Sequence, residues 1–330
     1  MPVDVLYVSA AETVQLLDLA QAVALVEQAL RWQAEGQVVW SSPPILALQT
    51  KDPDSHFRIK GCYLRPIDTA GFRVTGFRAD PAGAGSAAAD NTRFVLLSEP
   101  TTGRPRAIVD EHWTYNVRTV AAAGLAAKHL ARRDSARLGL VGAGQLAETG
   151  LKLLAAMFPL RAVLVTSRRA ESRETFARRM QGAIAADVRA VGSPAEAVAG
   201  ADIVLTCTSA NARLVEADWV EPGAFVCALG RNELADELYE AADKTVMDSW
   251  DLSQESSDVR QLVGRGALSR ERLHAELPDL VTGRRPGRES DRERIVARIE
   301  GLASQDVLIA HWVAEQARER RLGRAVPGGL

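Results

Sequence analysis

The hydrophobic pattern of this chain changes character near residue 115. Before that point, short alternating stretches dominate. Residues 3–8 read as a strand, and Ser9 stands where a helix N-cap is expected. Leu19, Val23, Val26 and Leu30 then recur at helical spacing within residues 17–35, and Gly36 ends the run. Pro43-Pro44 closes that segment. Residues 56–78 (HFRIKGCYL, then GFRVTGFR) alternate as two strands with a turn near Asp68. Residues 80–91, DPAGAGSAAADN, read as a flexible loop. FVLLSEPTTGRPRAIVD, from Phe94, reads as a hairpin with Pro100 and Gly103 in its turn. An antiparallel sheet flanked by helices is the expectation for this first part.

Beyond it, helices and short apolar strands alternate. An alanine-rich helix over about 116–132 leads into RLGLVGAG, followed by helix LAETGLKLLAAMF, strand RAVLVTS and helix AESRETFARRMQGAI. Further strands fall at VRAVG, ADIVLTCTS, AFVCALG and KTVMDS. Alternation at this pitch predicts a parallel, doubly wound sheet. Residues 283–293, GRRPGRESDRE, read as a charged link, and the charges over 284–298 as a solvated helix start. The last helix is expected over about 291–321, with a stripe through Ile295, Ile299, Leu302, Val307, Ile309, Trp312 and Val313. It should leave the parallel sheet and pack on the first domain.

Composition narrows the class. A chain of 330 residues suggests two domains, and 47% hydrophobic with 25% charged residues excludes a disordered chain. Forty basic against 42 acidic residues leave a net charge of −2, so nothing here favours nucleic acid or an anionic membrane. Lysine occurs only at positions 51, 60, 128, 152 and 244, and so many arginines lower the weight of any single one. Cys62, Cys207 and Cys227 form no CxxC pair and no metal spacing, which argues against a disulfide framework or a zinc site. The N-terminus lacks the pattern of a signal peptide, and no window approaches 18 apolar residues. A cytoplasmic protein is expected.

Gly142-Ala143-Gly144-Gln145-Leu146-Ala147 fits G-x-G-x-x-A between the strand at residues 138–141 and a helix. Gly142 permits the tight turn, Gly144 lets a pyrophosphate approach the backbone, and Ala147 allows close helix–strand packing. The helix N-terminus then offers free N–H groups to phosphate. An NAD site usually places an acid at the end of the next strand, where this chain has Thr166-Ser167-Arg168-Arg169. A hydroxyl with guanidinium groups suits a 2′-phosphate, so NADP(H) is expected, with NAD(H) possible. Among the histidines, His112 lies six residues before Arg118 and is a weak proton-donor candidate. No G-x-S-x-G supports hydrolase chemistry.

VRTVAAAGLAAKHLARRDSARLGLVGAGQLAE, ADIVLTCTSAN, WVEPGAFVCALG and SQDVLIAHWVAEQARERRLG resemble the ornithine cyclodeaminase/mu-crystallin family over nearly the whole chain. That resemblance implies an α/β fold in which a Rossmann NAD(P)-binding domain, residues 116–304, is inserted into an α+β substrate-binding and dimerisation domain, residues 1–115 plus 305–330. It implies a homodimer and a small α-imino or α-amino acid substrate held by its carboxylate. Arg118, in the R-T-x-A-A segment, matches the family's carboxylate arginine. Arg58 resembles an earlier strand arginine, with Lys60 as its alternative by a small shift. Arg73 replaces a family lysine. Cofactor contacts are expected from Gly142, Gly144, Gln145, Leu146, Ala147, Ser167, Arg168 and Arg169, and from Thr206 and Thr208 in ADIVLTCTSAN.

The main departure is Asn232. Cyclodeaminases of the family carry an acid/base aspartate here, whereas an amide has no useful pKa. Nearby Glu233 or Asp236 could swing in. Glu300 also departs, standing where the family has a small residue before glycine. The resemblance therefore implies an NADPH-dependent reductase of a small α-imino acid, with Asn232 bonding the imine nitrogen. The alternatives are an ornithine cyclodeaminase-like ammonia-lyase using bound NAD, and an NADP- and small-ligand-binding protein with little turnover.

Overall fold

A computed structural model describes residues 4–49, 55–78 and 91–327. Its first elements are β1 (Val5–Val8), α1 (Ala10–Leu16), α2 (Leu19–Ala34), β2 (Val38–Trp40), β3 (Leu46–Gln49), β4 (Ser55–Leu64), β5 (Thr69–Arg78), β6 (Thr92–Ser98), β7 (Pro105–Asp110) and α3 (His112–Leu130). Next come β8 (Arg137–Val141), α4 (Gln145–Met157), β9 (Ala162–Thr166), α5 (Ala170–Met180), β10 (Asp187–Ala190), α6 (Pro194–Val198), β11 (Ile203–Thr206) and β12 (Phe225–Ala228). The chain ends through α7 (Asp236–Glu240), β13 (Lys244–Met247), α8 (Trp250–Ser253), α9 (Ser257–Gly264), β14 (Leu273–Glu276), α10 (Leu277–Val281), β15 (Ile295–Arg298), α11 (Ala303–Glu319) and β16 (Arg324–Val326). These form two compact units, Met1–Arg118 with Gly301–Leu330, and Thr119–Glu300. The loop expected over 80–91 lies outside the described residues except for Asn91.

The first unit is a sheet in the order β16-β1-β7-β6-β5-β4-β2, with β3 also on β4. Local chemistry sets its helix boundaries. Ser9 and Glu12 form a capping box at α1, and the Asp18 carboxylate accepts from the Gln21 amide to start α2. The antiparallel register pairs Lys60 with Arg73 and Arg58 with Thr75, then Arg73 with Val95 and Thr75 with Arg93. Side chains alternate along strands, so Arg58, Lys60, Arg73 and Arg93 share one face of the sheet. Further along that face, α11 packs on the strands; a Cβ on Gly71 would come within 2.7 Å of Val307. On the opposite face Phe72 covers Gly61 and Phe57 covers Gly76, and both rings are exposed, as are Leu46 and Leu48.

The second unit is the expected parallel sheet, in the order β10-β9-β8-β11-β12-β15-β13-β14. The chain is thus α/β, with a Rossmann-like sheet. Two expectations need correction. Residues 291–321 are not one helix, because Ile295–Arg298 is a fully buried strand between β12 and β13. A short β-branched run covered on both faces imitates part of a helical stripe, and Gly301 at φ +82° separates it from α11. Nor do residues 284–298 begin a helix; they form loop and strand, and the run ends in buried Arg298. The alanine-rich helix α3 begins at His112, four residues before the expected start. Strand β14 was not anticipated. No helix among the described residues is long and apolar enough to cross a membrane.

The β6–β7 turn supplies a pH test. Glu99 accepts from the Thr102 hydroxyl and from the amides of Thr101 and Thr102, which holds its carboxyl down at about 2 from an ordinary 4.5. A depressed acid stabilises the fold above its unfolded value and loses that contribution as pH falls towards the folded one. Wild type and Glu99→Gln should therefore differ in urea midpoint at pH 7 and converge by about pH 2. A constant difference across that range would show that the turn does not depend on the ionised carboxylate.

Candidate functional site

Within the first unit, one cluster gathers charge that a core would ordinarily reject. Arg73 on β5 donates through Nε to Glu111 Oε1 at 2.6 Å and lies 3.6 Å from Asp306 Oδ2. Arg118 on α3 brings its Nε to 2.8 Å from Asp306 Oδ1, at an angle unsuited to a hydrogen bond. All four side chains are buried. Burial works to lower the Arg73 pKa, but Glu111 and Asp306 outweigh it and push it up, so the guanidinium stays charged. Burial pushes the Glu111 carboxyl up; Arg73 opposes that shift and Asp306 adds to it. Neither oxygen of Asp306, nor Glu111 Oε2, accepts a hydrogen bond among the described residues.

An aromatic ring organises the cations. The Tyr115 centroid lies 4.2 Å from the guanidinium carbon of Arg93, 4.9 Å from that of Arg118 and 5.5 Å from that of Arg73. Lys60, buried on the same sheet face, donates to the Gly301 carbonyl at 3.0 Å. Gly301 must lack a side chain, since a Cβ there would sit 2.0 Å from Arg118 Nη1. Of the expected carboxylate binders, Arg118 and Arg73 thus belong to one cluster. Arg58 shares the face but is only half-buried, and its alternative Lys60 lies deeper. Glu111, Asp306, Tyr115 and Arg93 were not anticipated. A lone acid inside the apolar run of α11, SQDVLIAHW, is the signal that points to Asp306. His112 is half-exposed and bonded to Asp110, outside this cluster.

The second unit carries the glycine turn. Gly142 has φ +123°, and a Cβ there would press within 2.8 Å of the Cys207 carbonyl. Gly144 caps α4 with no side-chain hydrogen bond, and a Cβ on it would meet nothing within 4 Å. Gln145 is exposed, Leu146 half-buried and Ala147 fully buried against the sheet. An open backbone approach at an uncapped helix N-terminus fits a dinucleotide pyrophosphate. At the end of β9, Ser167 Oγ donates to the Arg169 carbonyl, Arg173 bonds the Ser167 carbonyl, and Arg168 and Arg169 are exposed.

Glu233 is already committed. Its carboxylate accepts from the hydroxyls of Thr206 and Thr208 and the amides of Thr208 and Gly230, at 2.6–2.7 Å. It is buried, so it does not swing in as a replacement acid. The same bonds turn the fully buried Thr206 and the half-buried Thr208 towards Glu233. Asp236 is paired with Arg213 and Arg265. Asn232, at φ +54°, gives its backbone amide to Asp258 and its side-chain amide to Asn211. Glu300 accepts from Arg298 and Ser256, and Arg298 also pairs with Asp258. Burial pushes the thiols of Cys62, Cys207 and Cys227 up, so they lack the thiolate that nucleophilic chemistry needs. No metal-ligating cluster occurs among the described residues.

A family model described as ornithine cyclodeaminase/mu-crystallin family matches residues 4–321. The chain is 33% identical over 232 residues, 69% of each chain, to N-((2S)-2-amino-2-carboxyethyl)-L-glutamate dehydrogenase of Staphylococcus aureus. It is 30% identical over 321 residues, 96% of each chain, to alanine dehydrogenase of Archaeoglobus fulgidus. Its fold is similar to that of Δ1-pyrroline-2-carboxylate reductase of Thermococcus litoralis in complex with NADH and L-proline. That similarity has a TM-score of 0.90 at 26% identity, covering 97% of this chain and 100% of the other.

If Glu233 anchors the ends of β11 and β12, Glu233→Leu leaves four donors unmatched in a buried setting. The expected loss is at least about 1–3 kcal/mol in urea unfolding, with weaker dinucleotide binding by fluorescence titration. Unchanged stability would refute the anchoring role.

Proposed function

The chain belongs to the ornithine cyclodeaminase/mu-crystallin family, and on that premise we propose that it is an NADPH-dependent reductase of a small α-imino acid, an oxidoreductase acting at C–N bonds. The observation that carries this reading is the cluster of Arg73, Arg118, Glu111 and Asp306 in the first unit. Buried guanidinium groups bind a carboxylate through paired, charge-assisted hydrogen bonds, and their fixed orientation converts binding into alignment. Arg118 and Arg73, with Arg58 at the rim, hold the substrate carboxylate. Asp306 and Glu111 supply the acceptor oxygens that an iminium N–H requires. The nicotinamide, when bound, supplies the hydride.

The cofactor reading rests on the turn from Gly142 to Ala147 and on the end of β9. Gly144 and the N-terminus of α4 receive the pyrophosphate. With no acid after β9 until Glu171, and Arg168 and Arg169 exposed beside Ser167, the ribose edge favours a 2′-phosphate and hence NADP(H). Asn232 offers a neutral amide where a cyclodeaminase uses an acid. With Glu233 locked by four donors, no carboxylate there is available for ammonia release. The relatives' names cover a cyclic imino acid reductase, an alanine dehydrogenase and a glutamate-derived substrate, which supports imine and amino acid redox chemistry here. Three free cysteines suit the reducing cytoplasm.

Purified protein should oxidise NADPH faster than NADH in the presence of Δ1-pyrroline-2-carboxylate, Δ1-piperideine-2-carboxylate, or a 2-oxo acid with ammonia or methylamine. Arg118→Lys should lower kcat/KM on the order of a hundredfold, because lysine lacks the planar fork. Ammonia release from ornithine without net cofactor turnover would overturn the reductase reading in favour of the lyase. Equal rates with both cofactors would overturn the NADP preference alone.

The exposed face bearing Phe57, Phe72, Leu46 and Leu48 is an apolar surface of the kind that a second copy covers, so we assign it to a homodimer. Light scattering on Phe57→Lys/Phe72→Lys should give a monomer where wild type gives a dimer. A dimer that survives both changes would place the interface elsewhere.

A further inference from the structure

Acceptor oxygens lack donors inside the charged cluster of the first unit. Arg73 Nε donates to Glu111 Oε1, yet Glu111 Oε2 and both oxygens of Asp306 accept no hydrogen bond among the described residues. Both side chains are more than nine-tenths buried, so bulk water does not reach these oxygens. A dry carboxylate oxygen without a donor is costly, and that cost falls when the carboxyl takes a proton. The main chain keeps Glu111 in place. Its amide donates to the Arg93 carbonyl at 3.0 Å, and its carbonyl accepts from the Tyr115 amide at 2.8 Å.

The two acids are not equivalent. Asp306 lies between two guanidinium groups, 2.8 Å from Arg118 and 3.6 Å from Arg73, whereas Glu111 is bonded to Arg73 alone. Two flanking cations favour the ionised form more than one does, so a proton shared by the pair resides on Glu111. Burial acts on Glu111 in the same direction, and so does Asp306 on α11. The cations around it, Lys60 on β4, Arg73 on β5, Arg93 on β6 and Arg118 on α3, act against protonation. Tyr115 and Cys62 are the other titratable groups at the cluster, and burial keeps the Cys62 thiol protonated. A substrate carboxylate held by Arg73 and Arg118 then brings a third anion beside these two. Whatever the cations contribute, its arrival raises the proton affinity of the acids already there, so binding is coupled to proton uptake.

We propose that Glu111 is the proton donor of the reduction, loaded when the substrate carboxylate binds. This rests on the reductase reading and names the acid of that reaction, in place of the carboxyl that Asn232 lacks. The proton passes from Glu111 Oε2 to the imine nitrogen as the imine carbon accepts the hydride of the reduced nicotinamide. The C=N double bond becomes single, with one new C–H and one new N–H bond; the nicotinamide is oxidised and the imine reduced. Glu111 is left as a carboxylate and regains its proton from solvent when the next carboxylate binds.

Titration calorimetry with pyrrole-2-carboxylate, a planar carboxylate without a reducible imine, tests the loading step in the full-length protein. Repeated in buffers of different ionisation enthalpy, from about pH 6 to 9, it gives the protons taken up per ligand. Wild type should take up at least about half a proton at some pH in that range, Glu111→Gln none, and Glu111→Asp part of the wild-type amount. Infrared difference spectra of wild type need no variant, and should gain the carbonyl band of a protonated carboxyl on adding the ligand. Turnover reads the transfer step. With Δ1-pyrroline-2-carboxylate, kcat should fall about a hundredfold or more in Glu111→Gln and recover in part in Glu111→Asp. No uptake in wild type, uptake that survives Glu111→Gln, or a wild-type kcat in that variant would each overturn the proposal. A wild type that takes up the proton yet reduces no imine would overturn the reductase reading, and the donor role with it, while the proton loading stands.

Discussion

Burying like and unlike charges together is the constraint on which the first unit depends. Arg73, Arg118, Glu111 and Asp306 come from β5, α3, the β7–α3 junction and α11, and each is almost wholly removed from water. A charge so placed is tolerable only when its counter-charge is fixed beside it; removing one partner of such a pair costs about 3–5 kcal/mol. The packing of α11 on the sheet and the entry into α3 are therefore coupled through the same buried ion pairs. Gly301 belongs to that coupling, because only a residue without a side chain leaves room for the Arg118 guanidinium. An apolar core of equal volume could hold these elements together.

A different economy governs the second unit. Its sheet is buried on both faces, so its chemistry is confined to strand ends and to the turn after β8. There the backbone itself is open, with a glycine that permits the turn and another that leaves space in front of a helix N-terminus. Glu233 illustrates how a residue that looks reactive in sequence becomes structural. Four donors satisfy its carboxylate, so it spends its charge joining the ends of β11 and β12. Arg298, Glu300, Asp258 and Ser256 form a further buried network at the end of β15.

Much of this was legible in the chain. The glycine turn, the parallel alternation and the β4–β5 and β6–β7 hairpins all follow from local rules: a small-residue turn between a strand and a helix, and the period of apolar positions; Arg118 was singled out only by the family resemblance. What misled was equally physical. Residues 295–297 are apolar on both sides because they lie in the middle of a sheet, and a segment buried all round has no period to read. Arg298 looked like part of a solvated run because sequence shows its charged neighbours and not the Asp258 and Glu300 carboxylates folded against it.

By itself, then, the sequence determined the elements whose signals are local: caps, turns, strand alternation, the glycine turn at Gly142–Ala147 and the lack of an acid after β9 until Glu171. Only the tertiary structure decided which charges meet. Lys60, Arg73, Arg93, Arg118 and Asp306 are far apart along the chain. Their shared environment depends on strand register, on the way α11 covers the sheet and on a ring from α3 around which three guanidinium groups gather. Register and packing minimise the free energy of the whole unit, so no short window of residues contains them. Electrostatic energy depends on distance and burial, and both exist only once the chain has folded.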